Sequence, residues 1–339
     1  MSDLSTSTTA VPSAMRAVVL TDKGGPDVLR IAEVPVPEPG PEEVLVAVRA
    51  TALNRADLLQ RMGFYPGPPM THEIPGMEFA GTVVAAGERV RAHTVGDEVM
   101  GIVGGGADAE YLAVHERQAM AVPASVGLGD AAAIPEVWIT AFDAMVAQAG
   151  LTSGRTALVH AGASGVGTAA IQIAKAMGAF VIVTASAPKL DACRELGADL
   201  AVDYRSEDFA EAAVAFTSGR GVDVVLDVIG GDYLKRNLAA VAEKGTIIQV
   251  GVMGGGATEV DLGVVLRRRV RLIGTVLRSR PLEEKIAITQ RFAAEVLPLF
   301  DAGRARPVID SRFALDDIAA AHRHMEANAN VGKILVDIA

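Results

Sequence analysis

The chain has 339 residues, half of them apolar and 21% charged, with a formal net charge of −10 and a pI near 5.2. That length exceeds one ordinary core and predicts two domains, and the apolar content excludes a disordered chain. The acidic balance disfavours non-specific nucleic-acid binding, and a single cysteine, Cys193, excludes an intrachain disulfide framework and suits a reducing compartment.

Residues 1–14 are polar, rich in Ser and Thr, and lack an apolar h-region, so they read as a disordered tail rather than a signal peptide. No apolar run is long enough to cross a bilayer, and a cytoplasmic protein is expected. From Met15 to about Pro123 short strands alternate with Gly/Pro turns: MRAVVL, DVLRIAEVP, EEVLVAVRATAL, EFAGTVVAAG, GDEVMGI and AEYLAVH. The helical pattern NRADLLQRMG, Asn54 to Gly63, interrupts them. This pattern predicts a small β-barrel. A long helical stretch is expected from about Gly129 to Gly150.

The rhythm then changes. Strand TALVHAG leads to helix VGTAAIQIAKAMG, and strands FVIVTA, LAVDY, VDVVLDVIG, GTIIQVGVM and RLIGTVL follow, with helical segments between them. Strands and helices alternating at this spacing predict a parallel, doubly wound α/β sheet. A long amphipathic helix over about Pro281 to Ala302, a helix near Leu315 to Ala327 and the strand KILVDI close the chain. They do not continue the alternation, so they are expected to return to the first domain. The one dense basic run, Arg267, Arg268, Arg269 and Arg271, reads as a solvated or interface face.

The turn after TALVHAG carries the first chemistry. It reads Gly162-Ala163-Ser164-Gly165-Val166-Gly167, close to the G-x-G-x-x-G fingerprint, with Ser at the middle glycine position. Gly162 permits the tight turn out of the strand. Ser164 is small enough for backbone to approach a pyrophosphate, and Gly167 lets the helix pack on the sheet. The amides at the helix start, Gly165 and Val166 among them, then face the diphosphate. An NAD site calls for Asp or Glu at the end of the second strand. Here that stretch is Thr184-Ala185-Ser186-Ala187-Pro188-Lys189, with no acid. A 2′-phosphate would meet Ser186 and Lys189, and Tyr204 at the end of the third strand can reach the same place. The expected cofactor is NADPH.

With these segments in place, the chain from Met15 onward resembles the medium-chain dehydrogenase/reductase family. The resemblance rests on ALNRADLLQRMG, IPGMEFAGTV, AAAIPEVWITAFDAM, HAGASGVGTAAIQIAK, GVMGGG, LRSR and MEANANVGKI. Within the family it is similar to the quinone oxidoreductases related to zeta-crystallin, in the branch of the tumour-suppressor-inducible enzyme. The resemblance implies a GroES-like β-rich catalytic domain over residues 15–136 and 281–339, and a Rossmann domain over 137–280. It implies that Asn54 lines the nicotinamide pocket, that Tyr65 stands beside the substrate as a hydrogen-bond donor, and that Thr140 contacts the nicotinamide end. It further implies that Gly251, Met253, Leu277, Arg278, Ser279 and Val331 approach the nicotinamide half.

Zinc-dependent relatives hold a catalytic metal with a Cys near the place of Asn54 and a His in a P-G-H-E segment. Here that segment reads Pro75-Gly76-Met77-Glu78, and a third ligand would fall close to Glu136. One carboxylate does not make a zinc site, so no metal is expected. Glu78 reads as the structural partner of a nearby Arg, and the six histidines read as structural or surface residues. No strong general acid stands out.

The leading expectation is therefore NADPH-dependent, zinc-independent reduction of a quinone. Reduction of α,β-unsaturated carbonyls is the related alternative. A low-turnover NADPH-binding protein with an RNA-binding role is the alternative from another class. The apolar strand RLIGTVL, exposed at a sheet edge, predicts a homodimer of the family's kind, and neither a membrane nor nucleic acid is an expected partner.

Overall fold

The structure, a computed structural model, describes residues 11–338. The chain opens with an antiparallel pair, β1 (Ala14–Leu20) and β2 (Leu29–Pro35). Most of the tail expected over 1–14 lies outside the described residues, and Ala14 already pairs with Pro35. There follow β3 (Glu43–Ala52), α1 (Arg55–Arg61), β4 (Glu78–Ala86), β5 (Glu98–Ile102), β6 (Tyr111–His115) and β7 (Ala119–Ala121).

The helical stretch expected over 129–150 is three pieces: α2 (Leu128–Ala131), α3 (Pro135–Phe142) and a π-helical turn over Asp143–Gln148. Pro135 has no amide to continue a helix and so restarts one at its first turn.

The Rossmann unit then runs β8 (Thr156–Val159), α4 (Gly165–Ala176), β9 (Phe180–Ala185), α5 (Leu190–Glu195), β10 (Leu200–Asp203), α6 (Phe209–Phe216), β11 (Val222–Asp227), α7 (Tyr233–Ala240), β12 (Val241–Gln249), α8 (Leu262–Arg268) and β13 (Arg271–Gly274). Its strands lie in the order β10-β9-β8-β11-β12-β13, all parallel. Every residue of β8 is buried, as expected where helices cover both faces of a sheet.

The helix expected over 281–302 breaks into α9 (Leu282–Glu295) and α10 (Leu297–Asp301), because Pro298 cannot donate to the ladder. The last elements are β14 (Ile309–Ala314), α11 (Ile318–Glu326) and β15 (Lys333–Asp337). β15 pairs antiparallel with β3, so the C-terminus does return to the first sheet, which runs β14-β15-β3-β4-β5-β7 with β6 on β3.

One continuous apolar core joins the two sheets through α3, α4 and α9, with Trp138, Phe142, Phe292 and Phe300 fully or nearly fully buried in it. The basic run is occupied by the chain's own groups. Arg268 donates to the carbonyls of Leu238, Ala239 and Val241, Arg269 pairs with Glu243, and Arg271 donates to Thr246. His160 is buried between Thr184 and Asn237, and His322 is buried beneath α1 beside Arg61. No helix among the described residues is long and apolar enough to cross a membrane.

Candidate active site

Strand order reverses between β8 and β11, so a crevice opens at the carboxyl ends of those strands. The turn after β8 sits there. Ala161 is held at φ 53, a conformation costly for a residue with a Cβ. At Gly162 a Cβ would stand 2.6 Å from the Val183 Cβ, and at Gly167 it would stand 2.3 Å from the Ala161 carbonyl oxygen. Only glycine lets strand, turn and helix approach this closely. Ser164 caps α4: its Oγ accepts from the Gly167 amide at 3.1 Å, and its carbonyl accepts from the Thr168 amide. The amides of Gly165 and Val166 remain at the open helix start, with Ser164, Gly165 and Val166 partly exposed. This cradle fits a dinucleotide pyrophosphate.

Other predicted cofactor positions gather around it. The Gly332 amide donates to the Ala163 carbonyl at 2.9 Å, which brings Val331 alongside the turn. β10 runs beside β9 with Asp203 opposite Ala185, so Tyr204 and Ser186 follow at neighbouring strand ends. The Lys189 ammonium donates to the carbonyls of Asn328 and Asn330, both at 2.7 Å. Gly251 and Met253 lie on the loop after β12, which bonds along the loop after β11. Leu277 lines an apolar crevice with Ile102 and Ile139, and Ser279 is exposed.

The second half of the site is a polar cluster under the first sheet's edge of the crevice. Asn54 opens α1 and is 5% exposed, with its amide group donating to Glu78 Oε1 at 2.9 Å. The Lys333 ammonium, 3% exposed, donates to Asn54 Oδ1 and the Leu53 carbonyl at 2.6 Å and pairs with Glu78 at 2.7 Å. All three of its protons therefore have acceptors. Glu78 is fully buried, and its second oxygen accepts from the Glu136 amide at 2.8 Å. The partner of Glu78 is thus a lysine from β15, not an arginine.

Glu136 lies in the first turn of α3 and is bonded to the Thr140 side chain one turn on. Its carboxyl is pushed up to about 7, first by burial, with Lys333 opposing and Glu78 and Asp57 adding to the rise. Tyr65 is partly exposed. Burial raises its phenol, Arg278 opposes, and Glu136 raises it further, so it stays a donor at neutral pH.

Arg278, in the segment after β13, crosses between the two sheets. It donates to the carbonyls of Gly104 (2.6 Å) and Tyr65 (3.3 Å) and to Gln60 Oε1 (2.6 Å), and its guanidinium lies 5.0 Å from the Tyr65 ring centre. Beneath α1 two buried carboxyls face each other: Asp57, pushed up to about 6, and Asp108, pushed up to about 8. Burial is the first cause for both.

These residues do not fit a zinc ion. The positions in question hold an amide already engaged by Lys333, the buried thioether of Met77 and a single carboxyl, Glu136. Among the described residues no group of three or more His, Cys, Asp or Glu could hold a metal. Lys333 stands in the segment MEANANVGKI with no role expected of it, and Arg278, expected with Leu277 and Ser279 beside the nicotinamide half, bonds Gly104, Tyr65 and Gln60. The only sequence signal for Lys333 was a lone cation entering an apolar strand. That for Glu136 was a lone acid in the apolar run around Trp138.

Comparison with known proteins gives two family models. Residues 165–294 match "zinc-binding dehydrogenase" and residues 40–124 match "alcohol dehydrogenase GroES-like domain". The chain is 34% identical to a quinone oxidoreductase of Pseudomonas aeruginosa, over 92% of this chain and 96% of that protein. It is 32% identical to 2-methylene-furan-3-one reductase of Solanum lycopersicum, over 96% and 80%. The mycobacterial Rv1454c structure, complexed with NADPH, superposes with a TM-score of 0.86 at 31% identity, covering 96% of this chain and all of that one.

Proposed function

This chain belongs to the medium-chain dehydrogenase/reductase family of NAD(P)-dependent oxidoreductases, and we propose that within it the chain is a zinc-independent NADPH:quinone reductase. The observation that carries this reading is the Lys333–Glu78–Asn54 cluster. Its charge is balanced internally, and Asn54, Met77 and Glu136 do not form a donor set that fits a zinc ion. A substrate reduced there must itself be a good hydride acceptor, and quinones are.

NADPH supplies the hydride when bound. The chain's own groups bind, orient and donate. Gly162, Ser164, Gly165, Val166 and Gly167 form the pyrophosphate cradle. Ser186 and Tyr204 offer hydroxyls to a 2′-phosphate, and Lys189, with two protons held by carbonyls, has a third to give. Gly251, Met253, Leu277, Ser279 and Val331 enclose the nicotinamide half. Asn54, its polar atoms already engaged, holds the wall of the pocket. Tyr65 donates to the substrate oxygen, and Thr140 orients Glu136.

Reduction of α,β-unsaturated carbonyls is the second reading. The relative from Solanum lycopersicum favours it, and Tyr65 and Glu136 serve an enolate as they serve a reduced quinone. An RNA-binding role gains nothing, since the basic run is engaged within the chain. The single thiol, Cys193, is buried and pushed up to about 11, which suits the reducing cytoplasm.

We also place a homodimer contact at β13, an edge strand with Leu272 51% exposed beside α8, where Leu262 and Leu266 are 74% and 77% exposed. Sedimentation at one mass per chain would refute it.

The decisive assay follows NADPH oxidation by the folded protein with a panel of ortho- and para-quinones and enones. Turnover of quinones at higher kcat/KM than enones is expected. No quinone turnover by protein that binds NADPH would refute the reading. Lys189→Ala is expected to narrow the preference for NADPH over NADH.

A further inference from the structure

The proposed reduction consumes one proton for each hydride, and no strong acid stands out in the sequence. We propose that Glu136 is the acid that delivers this proton to the reduced substrate, with the Tyr65 hydroxyl bonded to the same oxygen. This inference rests on the reductase reading above.

The geometry separates Glu136 from its neighbours. Asn54, Asp57, Glu78, Thr140 and Lys333 are all buried, the most exposed of them, Thr140, at 7%. Glu136 and Tyr65, by contrast, are partly exposed residues. They come from different elements, α3 and the loop after α1, and lie close enough to interact electrostatically. The Glu136 backbone is fixed by its amide bond to Glu78, and its side chain is fixed by Thr140, so the carboxyl is pre-oriented.

The charges facing Glu136 are Lys333 from β15, Glu78 from β4 and Asp57 from α1, with Tyr65 from the loop. Two acids and burial outweigh one lysine whose protons are already committed to other acceptors. A carboxyl titrating near 7 holds its proton in about half the molecules at neutral pH, which matches the requirement for a general acid.

The step balances. The substrate gains a hydride and carries negative charge on oxygen. The O–H bond of the Glu136 carboxyl breaks, and a new O–H bond forms on the substrate. The carboxylate left behind faces Lys333 and takes its next proton from solvent once product has left.

The test compares wild type with Glu136→Gln and Glu136→Asp, each first shown to bind NADPH by fluorescence titration. For wild type, kcat is expected to fall as pH rises through about 7. The Gln variant should lose that limb and about 100-fold in kcat, with its affinity for NADPH little changed. The Asp variant should retain the limb at reduced rate. Infrared difference spectra of wild type should show a protonated carboxyl band titrating near 7 that is absent in Gln.

Gln turnover within threefold of wild type with the limb intact would overturn the proposal, as would a Glu136 band that titrates in the ordinary carboxylate range. If wild type binds NADPH but reduces neither quinones nor enones, the reductase reading falls and this inference falls with it. An active wild type with an unaffected Gln variant overturns the inference alone.

Discussion

Lys333→Met tests the buried cluster most directly. The ammonium makes three contacts of 2.6–2.7 Å, to Leu53, Asn54 and Glu78, at 3% exposure, while Glu78 is fully buried. Methionine fills similar volume but leaves Glu78 with only the Asn54 amide group and the Glu136 amide as donors. Removing one partner of a buried ion pair costs about 3–5 kcal/mol, because the other charge stays uncompensated. Replacing both partners is far less costly, so Lys333→Met/Glu78→Gln should recover at least about 2 kcal/mol of that loss. The assay is urea unfolding followed by the fluorescence of Trp138, the chain's one tryptophan, which packs 4.6 Å from the Phe300 ring. Destabilisation below about 1 kcal/mol, the range of exposed ion pairs, would refute the reasoning, as would a double variant as unstable as the sum of its singles.

Three further expectations concern the surroundings of the site. Gly167→Ala puts a Cβ 2.3 Å from the Ala161 oxygen and should lower NADPH affinity about 10-fold or more in a fluorescence titration while circular dichroism stays near wild type. Arg278→Ala releases the loop that carries Tyr65 and should reduce kcat/KM for quinone by about 10–100-fold. Adding Tyr65→Phe to it should then cost little more. Asp108→Asn addresses a carboxyl whose folded value, about 8, lies above its unfolded one, so folding favours the proton and stability is lost as pH rises from about 4 to 8. The variant should match wild type near pH 4 and gain on it by up to about 1.4 kcal/mol per pH unit across that window, as urea unfolding at several pH values will show.

Much of this molecule was legible in the sequence because its signals are local. The Gly162–Gly167 turn, the strand before it and the helix after it are adjacent in the chain, and their spacing is set by steric limits that act within a few residues. The alternation of β and α likewise predicts a parallel sheet without knowledge of long-range contacts. Helix ends were less readable. Pro135 and Pro298 were visible, yet the apolar pattern ran on through both.

What only the tertiary structure decided is the polar chemistry. Asn54, Glu78, Glu136 and Lys333 are spread over 280 positions of the chain, and their charges acquire meaning only when β15 returns to β3 and closes the crevice. A lysine in KILVDI reads as a strand end until its ammonium is seen between Asn54 and Glu78. A glutamate after proline reads as helix-start chemistry until burial and two neighbouring acids raise it to about 7. Desolvation and pairing depend on what surrounds a group in space, and sequence spacing does not carry that information.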